Sequence, residues 1–303
     1  MYILPKKTFF RRKNHMKKIL AILVAFAMLF AFAACNKDKA EDGTTAAPQT
    51  TKSAGDIANK RDEIANQNPV TEVVTNVDAD GNVVTEVVTE AAPAGFNSID
   101  PAEIAAFYVA ASNKTRDDEK APAGHQTMVL VGEISGDGAI GTLLEVLNPI
   151  VADVLADNST STDYIPGASR GDLKAEDIVA DTCYAQTDEN GNTTIYIELK
   201  KQVDGPDEDG HEAGPVARGI GTLGSIDTAL EELGAELNSG RDTVSLTYRD
   251  AYIECVVNAD GYIVSGTWHY IVDVNIGDAK AKISFISANL KNLKASIEYT
   301  VEI

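Results

Sequence analysis

The last strand of the chain carries the clearest pattern. Leu293, Ala295, Ile297, Tyr299, Val301 and Ile303 alternate with Lys294, Ser296, Glu298, Thr300 and Glu302. Strict period-two alternation predicts a strand with one face buried and one solvated, the mark of an antiparallel sheet. Val264, Trp268, Tyr270, Val272, Val274 and Ile276 repeat it on a long strand over 262–276. Further strands are expected at 127–134, 182–187, 193–200, 243–249, 252–257 and 279–288. Asn190-Gly191 and Asp260-Gly261 are the tight-turn pairs that join hairpin strands.

Three helices interrupt the strands. The first has a full start signal: Asp100 at the N-cap, Pro101 at the first helical position and Glu103 completing a capping box. Ile99 and Ile104 are placed for a hydrophobic staple, and Ile104, Phe107, Tyr108 and Ala111 form one apolar stripe. The second, over 140–155, is apolar on more than one side, with Pro149 bending or splitting it. A third is expected at about 225–237. The fold class read from this order is α+β. A curved, mostly antiparallel sheet of about seven or eight strands carries about three helices on one face, all within a single domain, 96–303.

Upstream of Phe96 the pattern changes. Residues 36 to about 68 hold few large apolar side chains and cannot offset the entropy of ordering, so they read as disordered. Val70-Thr71-Glu72-Val73-Val74-Thr75 then recurs letter for letter as Val84-Thr85-Glu86-Val87-Val88-Thr89. The repeat flanks Asp80-Gly81 and reads as a hairpin, marginal when isolated in water. The Asp78-x-Asp80-x-Asn82 spacing hints at a calcium loop. It lacks the required Gly and bidentate Glu, because Val83 and Thr89 stand there, so a turn is the reading. The stretch 35–95 is read as an acidic spacer rich in Thr, Glu and Val.

The N-terminus supplies an address. A basic run with Lys6, Lys7, Arg11, Arg12, Lys13, Lys17 and Lys18 precedes an apolar stretch from Ile19 to about Phe32. That stretch is short for a membrane span, which needs about 20 apolar residues, and it ends in small residues. Residues 1–34 therefore read as an export signal, with Met16 expected as the true start. Phe32-Ala33-Ala34-Cys35 resembles the lipobox of bacterial lipoproteins, with Phe32 where that class usually carries Leu. The resemblance implies a lipidated Cys35 that anchors the protein on the outer face of the cytoplasmic membrane. The wider layout looks like that of uncharacterised lipoproteins of clostridial-type Gram-positive gut bacteria. Asp100-Pro101-Ala102-Glu103, the segment around Pro149 and the C-terminal strands carry that likeness, and it implies no activity.

Charge narrows the partners. The whole chain carries a net charge of −20. Without residues 1–34 about 19 basic residues face 46 acidic ones, a net charge of about −27. That argues against nucleic acid and against electrostatic adhesion to anionic lipid. Cys183 and Cys255 read as buried small hydrophobes, with a single bridge as the alternative.

Candidate chemistry is sparse. Gly219-Ile220-Gly221-Thr222-Leu223-Gly224 matches a dinucleotide fingerprint by letters but lacks a preceding strand. The loop with Asp207, Glu208, Asp209, His211 and Glu212 is read as solvated rather than as a metal site. His269 is expected on the polar face of its strand, and His125 beside a loop glycine. No Gly-x-Ser-x-Gly, His-Glu-x-x-His or Ser-x-x-Lys motif occurs. No catalytic residue, metal ligand or cofactor is therefore assigned. The leading expectation is a lipid-anchored, non-catalytic display or interaction module with an envelope or protein partner. The alternative is a carrier for an apolar or amphipathic small ligand, its cavity lined by Leu147, Trp268, Tyr270 and Phe285. A hydrolase acting on envelope material is the third reading.

Overall fold

In the computed structural model, residues 52–66, 71–77, 83–89, 95–137, 160–162, 165–167, 171–205, 214–222, 235–283 and 286–303 are described. Cys35, Leu147 and Phe285 lie outside them, as do the expected helix at 140–155 and the acidic loop around His211.

The fold is α+β, built on an open antiparallel sheet. Its strands are β3 (Gly124–Leu130), β4 (Thr160–Thr162), β5 (Tyr184–Thr187), β6 (Thr193–Glu198), β7 (Gln202–Asp204), β8 (Ala235–Ser239), β9 (Val244–Val257), β10 (Ile263–Ile283) and β11 (Ile286–Glu302). Their order is β4-β3-β11-β10-β9-β6-β5, with β7 paired to β9 and β8 to β10, nine strands among the described residues. Separately, β1 (Thr71–Val77) and β2 (Val83–Thr89) pair antiparallel as the repeat predicts, Val73 facing Val87 and Thr75 facing Thr85. Gly191 and Gly261 take φ of 81° and 84°, the left-handed conformation their hairpin turns require.

Three strand boundaries expected from sequence vanish, one of them the break between 288 and 293, which lies inside β11. The break at Asp250 is a β-bulge inside β9: the partners of Tyr252 and Arg249 are His269 and Ile271, so Asp250 and Ala251 together face Tyr270. Asp250 absorbs the extra residue at φ 52°. The break near Gly277 is likewise continuous strand, so β10 and β11 form one long hairpin with unbroken register from Thr267–Glu302 to Ile283–Ile286. A second bulge, between Ile263 and Ser265, corrects the phase of β10. It turns Val264, expected on the apolar face, out to 42% exposure, while Ile263 is buried. The end of the expected third helix is also corrected. Residues 235–239 extend and pair with β10 instead.

The helix α2 (Pro101–Asp117) starts where its signal says. The Asp100 side chain accepts from the Ala102 amide at 2.7 Å. The reciprocal half of the capping box runs through Ser98: its hydroxyl accepts from the Asp100 amide and donates to Glu103. The staple is not made within one core, because Ile104 joins the main cluster and Ile99 packs against a different one. Ile104, Tyr108 and Ala111 pack on the sheet face with Ile253, Cys255, Trp268, Tyr270, Val272, Ile297 and Val301. Val216 of α3 (Pro215–Gly219) joins that core. The buried Asp177 holds Arg218 of α3 in a two-armed ion pair, and these bonds raise the Arg218 pKa.

Cys183 and Cys255 are both buried and free. The register explains why. Cys255 faces Ile195 of β6, which faces Ala185 of β5, so two strand spacings of about 4.8 Å each separate the two chains. That exceeds the Cα separation of about 7 Å that a disulfide can span.

One expectation about the spacer is overturned. Residues 54–66, inside the stretch read as disordered, form α1 (Ala54–Asn66), and its Ile57 and Ile64 are buried. They pack on the sheet face opposite α2. Helices therefore cover both faces rather than one.

Candidate functional site: a tyrosine face beneath α1

The alternation that buries Ile195, Ile197, Ile253 and Val301 sends the intervening side chains to the second face. Register aligns them in rows. Tyr184 of β5 faces Tyr196 of β6, which faces Glu254 of β9. One row along, Glu198 faces Tyr252, Tyr252 faces His269 of β10, and His269 faces Thr300 of β11. The tyrosines overlap in series: Tyr184 and Tyr196 centroids are 5.6 Å apart at 22°, Tyr196 and Tyr252 6.1 Å at 27°. The His269 ring follows 5.0 Å from Tyr252. These spacings are those of offset aromatic contacts on neighbouring strands.

This face is not the solvated one that alternation predicts. Tyr196 and His269 are fully buried, and Tyr252, Glu298 and Thr300 nearly so. Part of the cover is α1. Ile57 and Ile64, seven residues apart and hence on one side of the helix, pack on Tyr184, Tyr196 and Tyr252. Ser53 caps α1: its hydroxyl accepts from the Asp56 amide at 3.1 Å and donates to the Asp56 carboxylate at 2.7 Å.

Polar contacts surround those two isoleucines. The Lys52 ammonium donates to Glu254 Oε1 at 2.7 Å and to the Tyr184 hydroxyl at 3.0 Å. It lies 5.7 Å from the Tyr184 centroid. A hydroxyl oxygen sits about 2.8 Å from its own ring centre, so the ammonium lies near the ring plane, and the contact is a hydrogen bond rather than a cation–π pair. Burial by itself would lower the Lys52 pKa, but the bonds to Glu254 and Tyr184 outweigh it and hold the pKa above its ordinary value. Arg61 donates to the carbonyls of Ile99 and Cys183, and Gln186 donates to Glu63 at 3.1 Å.

His269 corrects a further expectation. Expected as a surface residue of its strand, it is wholly enclosed. Its Nδ1 is 3.1 Å from the Thr300 hydroxyl and 3.6 Å from Glu298 Oε1. Nε2 is buried and has no hydrogen-bond partner among the described residues. Burial, opposed by the Asp250 charge, pushes its pKa down to about 4, so the imidazole is neutral at neutral pH.

Of the residues proposed from sequence to line a ligand cavity, Leu147 and Phe285 lie outside the described residues, and Trp268 and Tyr270 do not belong to this face. Trp268 and Tyr270 are on the opposite side, in the main core. The Trp268 indole donates to the Tyr108 hydroxyl, and Tyr270 lies edge-on to Tyr248 and stacked on Tyr299 at 4.8 Å. Gly219 ends α3 rather than following a strand, while Leu223 and Gly224 lie outside the described residues. His125 is exposed on β3 opposite Glu302. No group of three or more His, Cys, Asp or Glu suited to a metal occurs among the described residues.

The tyrosine face did leave a trace in the sequence. Ile195-Tyr196-Ile197 and Ala251-Tyr252-Ile253 are unbroken apolar runs, the pattern of strands covered on both sides. Ser53-x-x-Asp56 before Ile57 is a helix-start signal. Compared with protein-family models, curated proteins and solved structures, the chain matches none.

Proposed function

We propose that the chain is a lipid-anchored extracytoplasmic surface protein whose sheet domain is a non-catalytic interaction module. The anchor half rests on the basic run, the apolar stretch and Ala33-Ala34-Cys35. The seating of α1 on Tyr184, Tyr196 and Tyr252 carries the module half. An amphipathic helix laid into an aromatic groove is a common mode of protein recognition. The partners of Trp268 and Tyr270 are protein side chains, which weighs for this reading over a carrier.

The anchor is tested by growing a Gram-positive host with an alkyne-tagged fatty acid. Label on the intact chain that disappears in Cys35→Ser, with release of the protein to the medium, is the expected result. Unlabelled protein, or label that survives Cys35→Ser, overturns the anchor. Native mass spectrometry of the purified full chain tests the module. A stoichiometric companion of a few hundred daltons replaces the interaction reading with the carrier.

A further inference from the structure

We propose that the tyrosine face is a helix-docking surface, that α1 is its resident and displaceable occupant, and that its partner is an amphipathic helix of α1's own chemistry. The inference rests on the module half of the reading above and not on the anchor.

The pattern of the occupant defines the partner. It needs two aliphatic residues seven apart, as Ile57 and Ile64 are, to fill the tyrosine row. It also needs an ammonium preceding the first by about one turn, where Lys52 reaches Glu254. The carboxylate belongs to the sheet and the ammonium to the residue just before the helix, so this pair sets the direction in which an occupant lies.

Three features make α1 displaceable. It supplies no strand to the sheet and no residue to the main core, so its departure leaves both whole. Some 34 residues separate its end from Pro101, which gives it room to leave. Its 13 residues include Gly55 and Asn59, and a lone helix of that length is marginal in water. Order in α1 therefore depends on docking. The Lys52–Glu254 pair is about one-third exposed on each side chain, so it orients more than it stabilises.

What α1 covers also argues for a second state. Three overlapping tyrosines beside an enclosed His269 form a surface that favours a cover. A competing helix would replace α1 contact for contact.

The probe is a fluorescein-labelled peptide of residues 52–66, added to the full chain in detergent. Ile57→Asp with Ile64→Asp removes the resident helix from competition. The peptide is expected to bind this variant at least ten times more tightly than the unmodified chain, and adding Tyr196→Ala should abolish the gain. Equal binding to a folded variant and to the unmodified chain overturns the proposal. Hydrogen exchange on the unmodified chain decides it even where the variant does not fold. Amides of α1 are expected to exchange at least ten times faster than those of β9 and β10. Exchange of α1 only together with those strands would make it a fixed part of the core and end the proposal.

Discussion

The indole Nε1 of Trp268 donates to the hydroxyl of Tyr108 at 2.8 Å, and that hydroxyl donates onward to the Gly219 carbonyl at 3.4 Å. This short chain of bonds joins β10, α2 and the end of α3 inside the main core. Burial holds the Tyr108 phenol far above its ordinary pKa, so it remains a neutral donor and acceptor.

Tyr108→Phe keeps the ring and removes the oxygen, leaving the buried indole N–H without its acceptor. An unsatisfied buried donor costs about 1–3 kcal/mol. Urea unfolding of the variant is expected to show a loss in that range. Trp268→Phe combined with Tyr108→Phe should recover part of it, because the orphan is then removed.

Gly266 lies two residues from Trp268 on the same face of β10. A Cβ there would sit 2.7 Å from the Trp268 ring and 2.8 Å from the Cys255 Cβ. Neither neighbour is free to move within the core, so Gly266→Ala is expected to destabilise by about 1–3 kcal/mol as an overpacked site. A shift in tryptophan emission should accompany it, since this is the one Trp in the chain.

His269 predicts a pH dependence. Its pKa falls from the ordinary 6.5 to about 4 on folding, so between those values the unfolded chain binds more protons than the folded one. Stability contributed by the neutral ring is full above about pH 6.5 and is lost as pH falls toward 4, by up to about 3 kcal/mol. His269→Gln should flatten this part of the stability–pH curve. An unchanged slope in the variant would assign the acid sensitivity to other groups.

On the proposed anchor, docking of α1 sets reach. Sixteen residues, Asn36 to Thr51, separate Cys35 from Lys52, a contour of at most about 55 Å; sixty residues, about 200 Å, separate Cys35 from Phe96. Energy transfer from a dye on the domain to a bilayer acceptor is expected to be stronger with α1 docked. Ile57→Asp with Ile64→Asp should weaken it.

The α+β class, the helix beginning at Asp100, the hairpin turns at Gly191 and Gly261 and the buried face of β11 were all legible from the sequence, because each is local. A cap, a turn or a period-two stripe is written within a few adjacent residues. The same locality misplaced Val264 and split β9 and β10. A bulge changes the phase by one residue without altering composition, and only the partner strand reveals it.

The sequence by itself therefore determined where α2 begins, where the hairpins turn and which face of β11 is apolar, since period and capping are properties of neighbouring residues. Tertiary structure decided what lies on the other face. Lys52 meets Glu254 across 202 positions, and Ile57 and Ile64 find three tyrosines, Tyr184, Tyr196 and Tyr252, far downstream of them in the chain. A 13-residue helix with so few apolar side chains lacks enough local stability to declare itself. It becomes legible once the sheet has assembled the row of Tyr184, Tyr196 and Tyr252 against which those side chains can be buried.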